Sequence, residues 1–369
     1  MIIKKDCRFF VGSKPCVFHK QHGALCERCT HYEPITARIL VIKLDSLGDV
    51  LRTTSLLPAL KKTYPGSVIT WITRRESADL LSGNPLIDEI LEFETSALPQ
   101  LLARSFDHIV SLDATKDGAA LCRIARGTIK RGFGIDNTGA LYPLNQGSEE
   151  WFFLGLNDQR KRQNRKSYQE ILLDICELPK NLIYPPQLVL DEEEMATGRK
   201  FVAQRGLAPD KPIIGLNTGS GSRWRMKSLP FDALKCLAEQ LSTAYQLILL
   251  GGRQEQDRND HLSRLTGVPN SGGAHNLREF AGIINQCSLI ITGDTLALHM
   301  ALALQKKIIA FFGPTSPFEI EMFSCGEKLF PAVDCLSCYC STCEKNPTCA
   351  DLIRVEDIVN RAKMLLATP

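Results

Sequence analysis

Four short stretches of this chain carry residues whose types and spacing could do chemistry. Residues 43–50 (KLDSLGDV) place the carboxylate of Asp49 directly after a glycine. At a turn facing a cleft such a group can take a proton from a hydroxyl; it can equally be an ordinary helix cap. In residues 217–227 (NTGSGSRWRMK), Thr218, Gly219 and Ser220 offer amides and hydroxyls, and Lys227 offers a mobile point charge. That set suits a diphosphate, although a solvated surface loop has the same composition. Residues 251–255 (GGRQE) end in Glu255, which could accept hydrogen bonds from a ribose or simply favour a helix start. In residues 293–299 (GDTLALH), Asp294 precedes Thr295 and His299, which share a helix face. Taken alone, His299 also fits a satisfied core histidine.

Absent motifs narrow the chemistry. The chain has no GxxxxGK[ST] loop, no GxGxxG after a strand, no HExxH and no GxSxG. No two aspartates are spaced Asp-x-Asp, the pair on which metal-dependent sugar transferases hold a divalent cation.

The elements that must position these stretches follow from hydrophobic period. Residues 38–43 (RILVIK) are a short apolar run of the buried parallel-strand kind, followed by a predicted helix over 49–64. Further strands are predicted at 68–73, 87–93 and 108–112. Residues 134–166 break the rhythm and carry a basic run, RKRQNRK at 160–166. After a helix at 167–176 and a proline-rich link near 185, a second series begins. Its strands are predicted at 212–217, 246–250, 289–292 and 307–312, and its helices at 231–243, 255–265, 277–287 and 295–305. A last helix is predicted at 355–366. This alternation predicts an α/β protein with two Rossmann-like doubly wound halves and a ligand cleft between them, at the carboxyl ends of the strands. The predicted domains are 1–36, a loop-rich cysteine module; 37–185, an acceptor-binding half; and 186–369, a nucleotide-sugar half that includes a cysteine-rich segment at 335–349 and the C-terminal helix.

In this order and spacing, the strings KLDSLGDVLRTTSLLPALKK, NTGSGSRWRMKSLP, LLGGRQE, TGDTLALHMALAL and FFGPTSP resemble glycosyltransferase family 9, which includes the lipopolysaccharide heptosyltransferases. The resemblance spans roughly residues 38–320. It implies a GT-B fold and an inverting transfer from ADP-L-glycero-β-D-manno-heptose that needs no divalent metal. Carried over residue by residue, Asp49 is the base, and Thr218, Ser220 and Lys227 contact phosphate. Glu255 binds the ribose, and Asp294, Thr295 and His299 form the family's Asp-Thr-Gly…His motif. Leu296 stands here where that motif has glycine. The implied acceptor is a glycan such as lipopolysaccharide core. Another nucleotide sugar or a protein hydroxyl fits the residues as well.

The fourteen cysteines are clustered. Cys7, Cys16, Cys26 and Cys29 lie in the first 30 residues, with His19, His22 and His31 among them; Cys335, Cys338, Cys340, Cys343 and Cys349 lie in one later stretch. No secretory apolar core occupies residues 1–6, so the expectation is a cytoplasmic chain whose Cys-x-x-Cys pairs bind metal. Two Cys₄ structural zinc sites are expected, with Cys340 as a spare and iron or an iron–sulfur cluster as the alternative. Both are expected outside the four strand-end stretches. A metal-finger nucleic-acid binder is the reading from a different class. A net charge of +3 does not by itself imply nucleic acid, and residues 1–34 hold six basic against three acidic side chains with poor aromatic interleaving. No apolar run reaches the length of a membrane span. The run at 160–166, with Arg123, Arg126, Lys130 and Arg131, is expected to face an anionic acceptor or the inner membrane surface.

Overall fold

The computed structural model describes residues 2–208, 210–221 and 224–367. Two sheets are formed. The first contains β1 (Arg38–Ile42), β2 (Val68–Thr73), β3 (Glu89–Glu92), β4 (Ser105–Ser111), β5 (Arg126–Ile135) and β6 (Leu141–Pro143), in the order β3-β2-β1-β4-β5-β6. Only the β5–β6 pair is antiparallel. The second contains β7 (Ile213–Asn217), β8 (Gln246–Leu250), β9 (Leu289–Gly293), β10 (Lys307–Phe311) and β11 (Gly326–Leu329), in the order β11-β10-β9-β7-β8, all parallel.

The central strands β1, β7 and β9 are almost wholly buried because helices cover both faces, and this is why they read as continuous apolar runs. Chain order reverses at β1/β4 in the first sheet and at β7/β9 in the second. Loops leaving two such strands diverge to opposite faces, opening a crevice at their carboxyl ends. The loops that carry Asp49, Asn217 and Asp294 all leave these four strands.

The expected helix over 49–64 is two helices, Leu47–Thr53 and Leu56–Thr63. At the break the Thr54 and Ser55 amides turn to the Leu51 and Arg52 carbonyls, and their hydroxyls donate to the same two oxygens. Residues 134–166 are more ordered than their composition suggests. They hold β6 and the helices Gln146–Leu156 and Asp158–Gln163, so half of the basic run is helical. Residues 177–191 form no helix or strand between the two series.

Leu51 and Leu80 from the first series are buried in one cluster with Ala297, Leu298 and Met300 of the helix Leu296–Ala303. Arg278 ties the same seam, donating to Glu194 at 2.6 Å and to the backbone of Val189 and Asp79. The two halves therefore meet through packed side chains directly beneath the crevice.

Candidate active site at the two switch points

On the first sheet, Ser46 caps the helix Leu47–Thr53, and the Asp49 carboxylate reaches back to the Ser46 hydroxyl at 3.1 Å. Asp49 is thus a capping-box residue, yet about a third of its side chain (35%) stays exposed to the crevice. Its other oxygen accepts from Arg52 at 2.8 Å. The Arg52 guanidinium lies 3.6 Å above the Tyr168 ring, and its buried Nε has no protein partner. Burial pushes the Asp49 carboxyl upward, but Arg52, then Lys43 and His299, outweigh it and hold Asp49 well below the usual carboxylate range. Behind the loop, the buried Lys43 ammonium donates to Asp113 and to the Asp45 carbonyl, and the Leu44 amide donates to the other Asp113 oxygen. Asp113 follows β4, so the pair staples both strands of the switch point.

On the second sheet, Lys227 donates to Asp294 at 2.9 Å, and both side chains are about 15% exposed. His299 Nε2 stands 3.7 Å from the other Asp294 oxygen. Burial, the leading cause, and the Arg52 charge push the His299 imidazole down to about 4 against the pull of Asp294, so the ring is neutral near pH 7. Asp294 is held below its ordinary value: burial raises it, and Lys227 and His299 more than offset that. The same imidazole meets the first half. A Cβ on Gly48 would lie 2.7 Å from His299 Cδ2, a separation real side chains do not adopt, so glycine is what lets ring and loop touch. His299 thus joins the halves, facing Asp294 and its partner Lys227 on one side and Gly48, the residue before Asp49, on the other.

The remaining expected residues divide. Glu255 bridges two loops, accepting from the Gly221 and Gly252 amides, each at 3.0 Å. Gly219 presses against it: a Cβ there would lie 2.1 Å from Glu255 Cγ. Gly219, Ser220 and Glu255, with Gln254 and Arg258, line a cavity of about 450 Å³. The Ser220 hydroxyl donates to the Trp224 carbonyl at 2.5 Å. Thr218 and Thr295 do not open onto that cavity. Thr218 is fully buried and donates to Asn259 at 2.5 Å, and Thr295 bonds Asn217 and Thr292 at the strand ends. Arg223, an alternative cation for the leaving phosphate, lies outside the described residues.

Sequence reasoning missed Arg52, Lys43, Asp113 and Tyr168. Arg52 was findable, three residues after Asp49 on one helix. The Lys43–Asp113 staple joins residues 70 apart and leaves no local signal.

The basic run splits too. Lys161 sits over the Tyr339 ring at 3.7 Å and Arg165 over Phe318 at 4.2 Å, both reaching to the second half. Arg160, Arg165 and Lys166 also line a cleft of about 400 Å³. By contrast Arg123, Lys130 and Arg131 bind local carbonyls or Glu177 and are not part of that face.

All fourteen cysteines are free thiols, and among the described residues no group of three or more His, Cys, Asp or Glu is arranged to hold one metal ion. The later cluster lies outside the four strand-end stretches but packs on a fifth loop. A Cβ on Gly313 would fall 2.4 Å from Cys349 Sγ, and the Ser337 and Tyr339 amides donate to the Gly313 and Pro314 carbonyls. The segment backs directly onto the loop after β10. No helix among the described residues is long and apolar enough to cross a membrane.

Residues 96–348 match the family model described as glycosyltransferase family 9 (heptosyltransferase). The chain is 25% identical over 314 residues to lipooligosaccharide heptosyltransferase 2 of Haemophilus influenzae, covering 76% of this chain and 84% of that protein. It is 27% identical over 312 residues to lipopolysaccharide heptosyltransferase 2 of Escherichia coli, with the same coverage. Among solved structures, a glycosyltransferase of family 9 from Veillonella parvula matches with a TM-score of 0.73 at 20% identity, over 91% of this chain and 99% of that one.

Proposed function

This chain belongs to glycosyltransferase family 9, and on that premise we propose that it transfers a heptose from ADP-L-glycero-β-D-manno-heptose to a hydroxyl of a lipopolysaccharide-core type of glycan, with inversion. The observation that carries the reading is that Lys227, Asp294 and His299 at one switch point meet, through the ring on Gly48, the loop that carries Asp49 at the other. One side holds an ionised carboxylate. The other holds a cation that can leave its ion pair for a phosphate.

In this reading the adenosine and diphosphate of the donor occupy the cavity of about 450 Å³ and the adjoining mouth of the crevice. The Gly221 and Gly252 amides now satisfied by Glu255 become available as that carboxylate turns to the ribose. The N-terminus of the helix Leu296–Ala303 faces the phosphates. The acceptor oxygen attacks the anomeric carbon opposite the diphosphate. The new carbon–oxygen bond forms as the bond to phosphate breaks, and the electron pair leaves with ADP. Lys227 and loop amides stabilise that charge.

The acceptor proton passes to Asp49. Because Arg52 holds Asp49 ionised, the carboxylate is a weak base toward a free hydroxyl. Its first role is to accept the hydroxyl's hydrogen bond and aim the oxygen; the proton follows as positive charge develops on that oxygen. His299, neutral, spaces Asp49 from Asp294 without adding charge.

Residues 37–185 hold the acceptor and 186–369 the donor. In this reading the 400 Å³ cleft lined by Arg160, Arg165 and Lys166, with Glu150 and Glu170 among them, takes an anionic part of the acceptor, and the protein works at the cytoplasmic face of the membrane that carries such a glycan. Thiolate-bound metal in the two cysteine clusters supports the fold and takes no part in the transfer. In the C-terminal cluster, Cys335, Cys338, Cys343 and Cys349, with Cys340 beside them, line one small cavity and are the thiolates such a metal would draw together.

The test is direct. ADP-heptose and a heptose-acceptor core oligosaccharide are incubated with the protein, and the products are weighed by mass spectrometry. A mass gain of one heptose supports the reading. Calorimetry showing tight binding of UDP and none of ADP would replace the donor.

A further inference from the structure

The N-terminal segment is folded around a space that nothing in the chain fills. Residues 2–36 contain no buried residue. Their regular structure is one six-residue helix, Val17–His22, and one turn of 3₁₀ helix, Cys26–Arg28. A single isolated bridge, Cys7 to Pro34, closes the segment. Chain this short, with no core, cannot offset its ordering entropy by burial. Something else must hold it.

The four thiols of Cys7, Cys16, Cys26 and Cys29 all line one cavity of about 370 Å³. The rest of its wall is largely apolar, with Ile3, Phe9, Phe10, Phe18 and Leu25. Lys4 and Lys14 also reach it and supply positive charge. Two histidines also line it: the His19 Nδ1 is 3.0 Å from the Ala24 carbonyl, and the His31 ring stacks on Phe18 at 3.9 Å. The four thiols are the ligand set that an iron–sulfur cluster takes.

Spacing separates one ion from a cluster. A zinc ion with bonds of about 2.3 Å would draw its four sulfurs to within roughly 3.8 Å of one another. The cavity that the four thiols line, about 370 Å³, is far larger than one such ion needs. We propose that the N-terminal segment holds an iron–sulfur cluster of the four-iron type on Cys7, Cys16, Cys26 and Cys29. Such a cluster spreads its four thiolate ligands around an inorganic core, sits in apolar surroundings, and carries net negative charge that nearby lysines compensate.

Its place in the fold makes it structural. Arg8 anchors the segment through the Ser67 carbonyl and Asp88, each at 2.9 Å. Those residues immediately precede β2 and β3, so the segment docks at the amino ends of the parallel strands, opposite the crevice. The cluster therefore supports the segment without reaching the transfer site. This assignment does not depend on the donor or acceptor.

The full chain, purified without oxygen from iron-supplied cells, is analysed for iron, zinc and acid-labile sulfide, and by electron paramagnetic resonance after reduction. The expected result is about four iron and four sulfide per chain. These are lost in a Cys26→Ser/Cys29→Ser variant and kept in a Cys335→Ser/Cys338→Ser variant. Should the first variant fail to fold, differential alkylation of the unaltered chain decides. Cys7, Cys16, Cys26 and Cys29 should be protected until iron is chelated. One equivalent of zinc without sulfide on these four residues overturns the proposal. So does a Cys–Cys link among them, or iron and sulfide that follow Cys335 and Cys338 instead.

Discussion

At the ends of β1 and β4, charged side chains are locked against one another: Lys43 to Asp113, Asp49 to Arg52, and Arg52 to the Tyr168 ring. At the ends of β7 and β9 the polar groups are satisfied mostly by short local bonds, from Ser220 to a carbonyl, from two amides to Glu255, and from Asn217 to two threonines. The first arrangement fixes charge in place before any ligand arrives. The second holds donors in bonds that a phosphate or ribose can replace one for one. A site that must aim one nucleophile and repeatedly take up and release a nucleotide gains from this division: rigid electrostatics on the acceptor side, exchangeable hydrogen bonds on the donor side. Lys227 belongs to both styles, a full charge held by one ion pair to Asp294.

Breaking the rigid side should produce the largest effect. Asp49→Asn keeps the capping geometry but removes the charge and the proton acceptor. Turnover is expected to fall by about 10²–10⁴, with ADP affinity within a few-fold of the parent. Rate and binding measured together check this. Turnover near that of the parent would leave Asp49 a helix cap only.

On the donor side, Lys227→Ala removes the cation nearest the leaving diphosphate and leaves Asp294 uncompensated. A loss of about 10²–10³ in kcat is expected, the range for deleting one charge-stabilising donor. Lys227→Arg should recover part of it. If loss appears only in donor KM, Lys227 binds the ground state and does not assist departure.

Arg52→Gln sharpens the comparison further. Arg52 is the strongest influence holding the Asp49 carboxyl down. A base must be ionised, so kcat/KM falls as pH drops through its pKa. In the parent that limb lies below the ordinary carboxylate range. In the variant it should move up toward about 4. A pH–rate profile with an unmoved acid limb would show that Arg52 acts only through packing on Tyr168.

Much of this was legible in the sequence. The strands ending at Leu250 and Thr73 are found to the residue and the one ending at Asn217 to within one, because buried parallel strands give uninterrupted apolar runs. Asp49, Asp294 and Lys227 were readable as chemistry at strand ends. What was not legible depends on pairing across the chain. β5 and β6 carry mixed, half-exposed patterns at a sheet edge and resemble loops. Thr218 read as a phosphate ligand and Thr295 as part of the Asp294–His299 motif, yet their hydroxyls turn toward Asn259 and Asn217 at the strand ends. The nearness of Cys349 to Gly313 joins segments 36 residues apart and had no local sign.

The smallest effect at neutral pH, and the one that tests the seam between the two styles, concerns His299. Its ring lies between the halves, faced by Asp294 and Lys227 from its own half and by Asp49 and Arg52 from the other. Burial holds it near 4, against 6.5 for a free imidazole. The folded protein therefore keeps it neutral while the unfolded chain protonates below about 6.5. Its contribution to stability is complete above that pH and is lost as pH falls toward 4, amounting to about 3 kcal/mol across the window. In His299→Gln, which cannot titrate, the decline of stability between pH 6.5 and 4 should flatten by most of that amount. Stability at pH 7.5 should change by less than about 2 kcal/mol, since the glutamine amide can still reach Asp294. Urea unfolding across the pH range measures both. Parallel slopes for parent and variant would mean the imidazole takes its proton between pH 6.5 and 4 as readily folded as unfolded, so burial would not be what keeps it neutral.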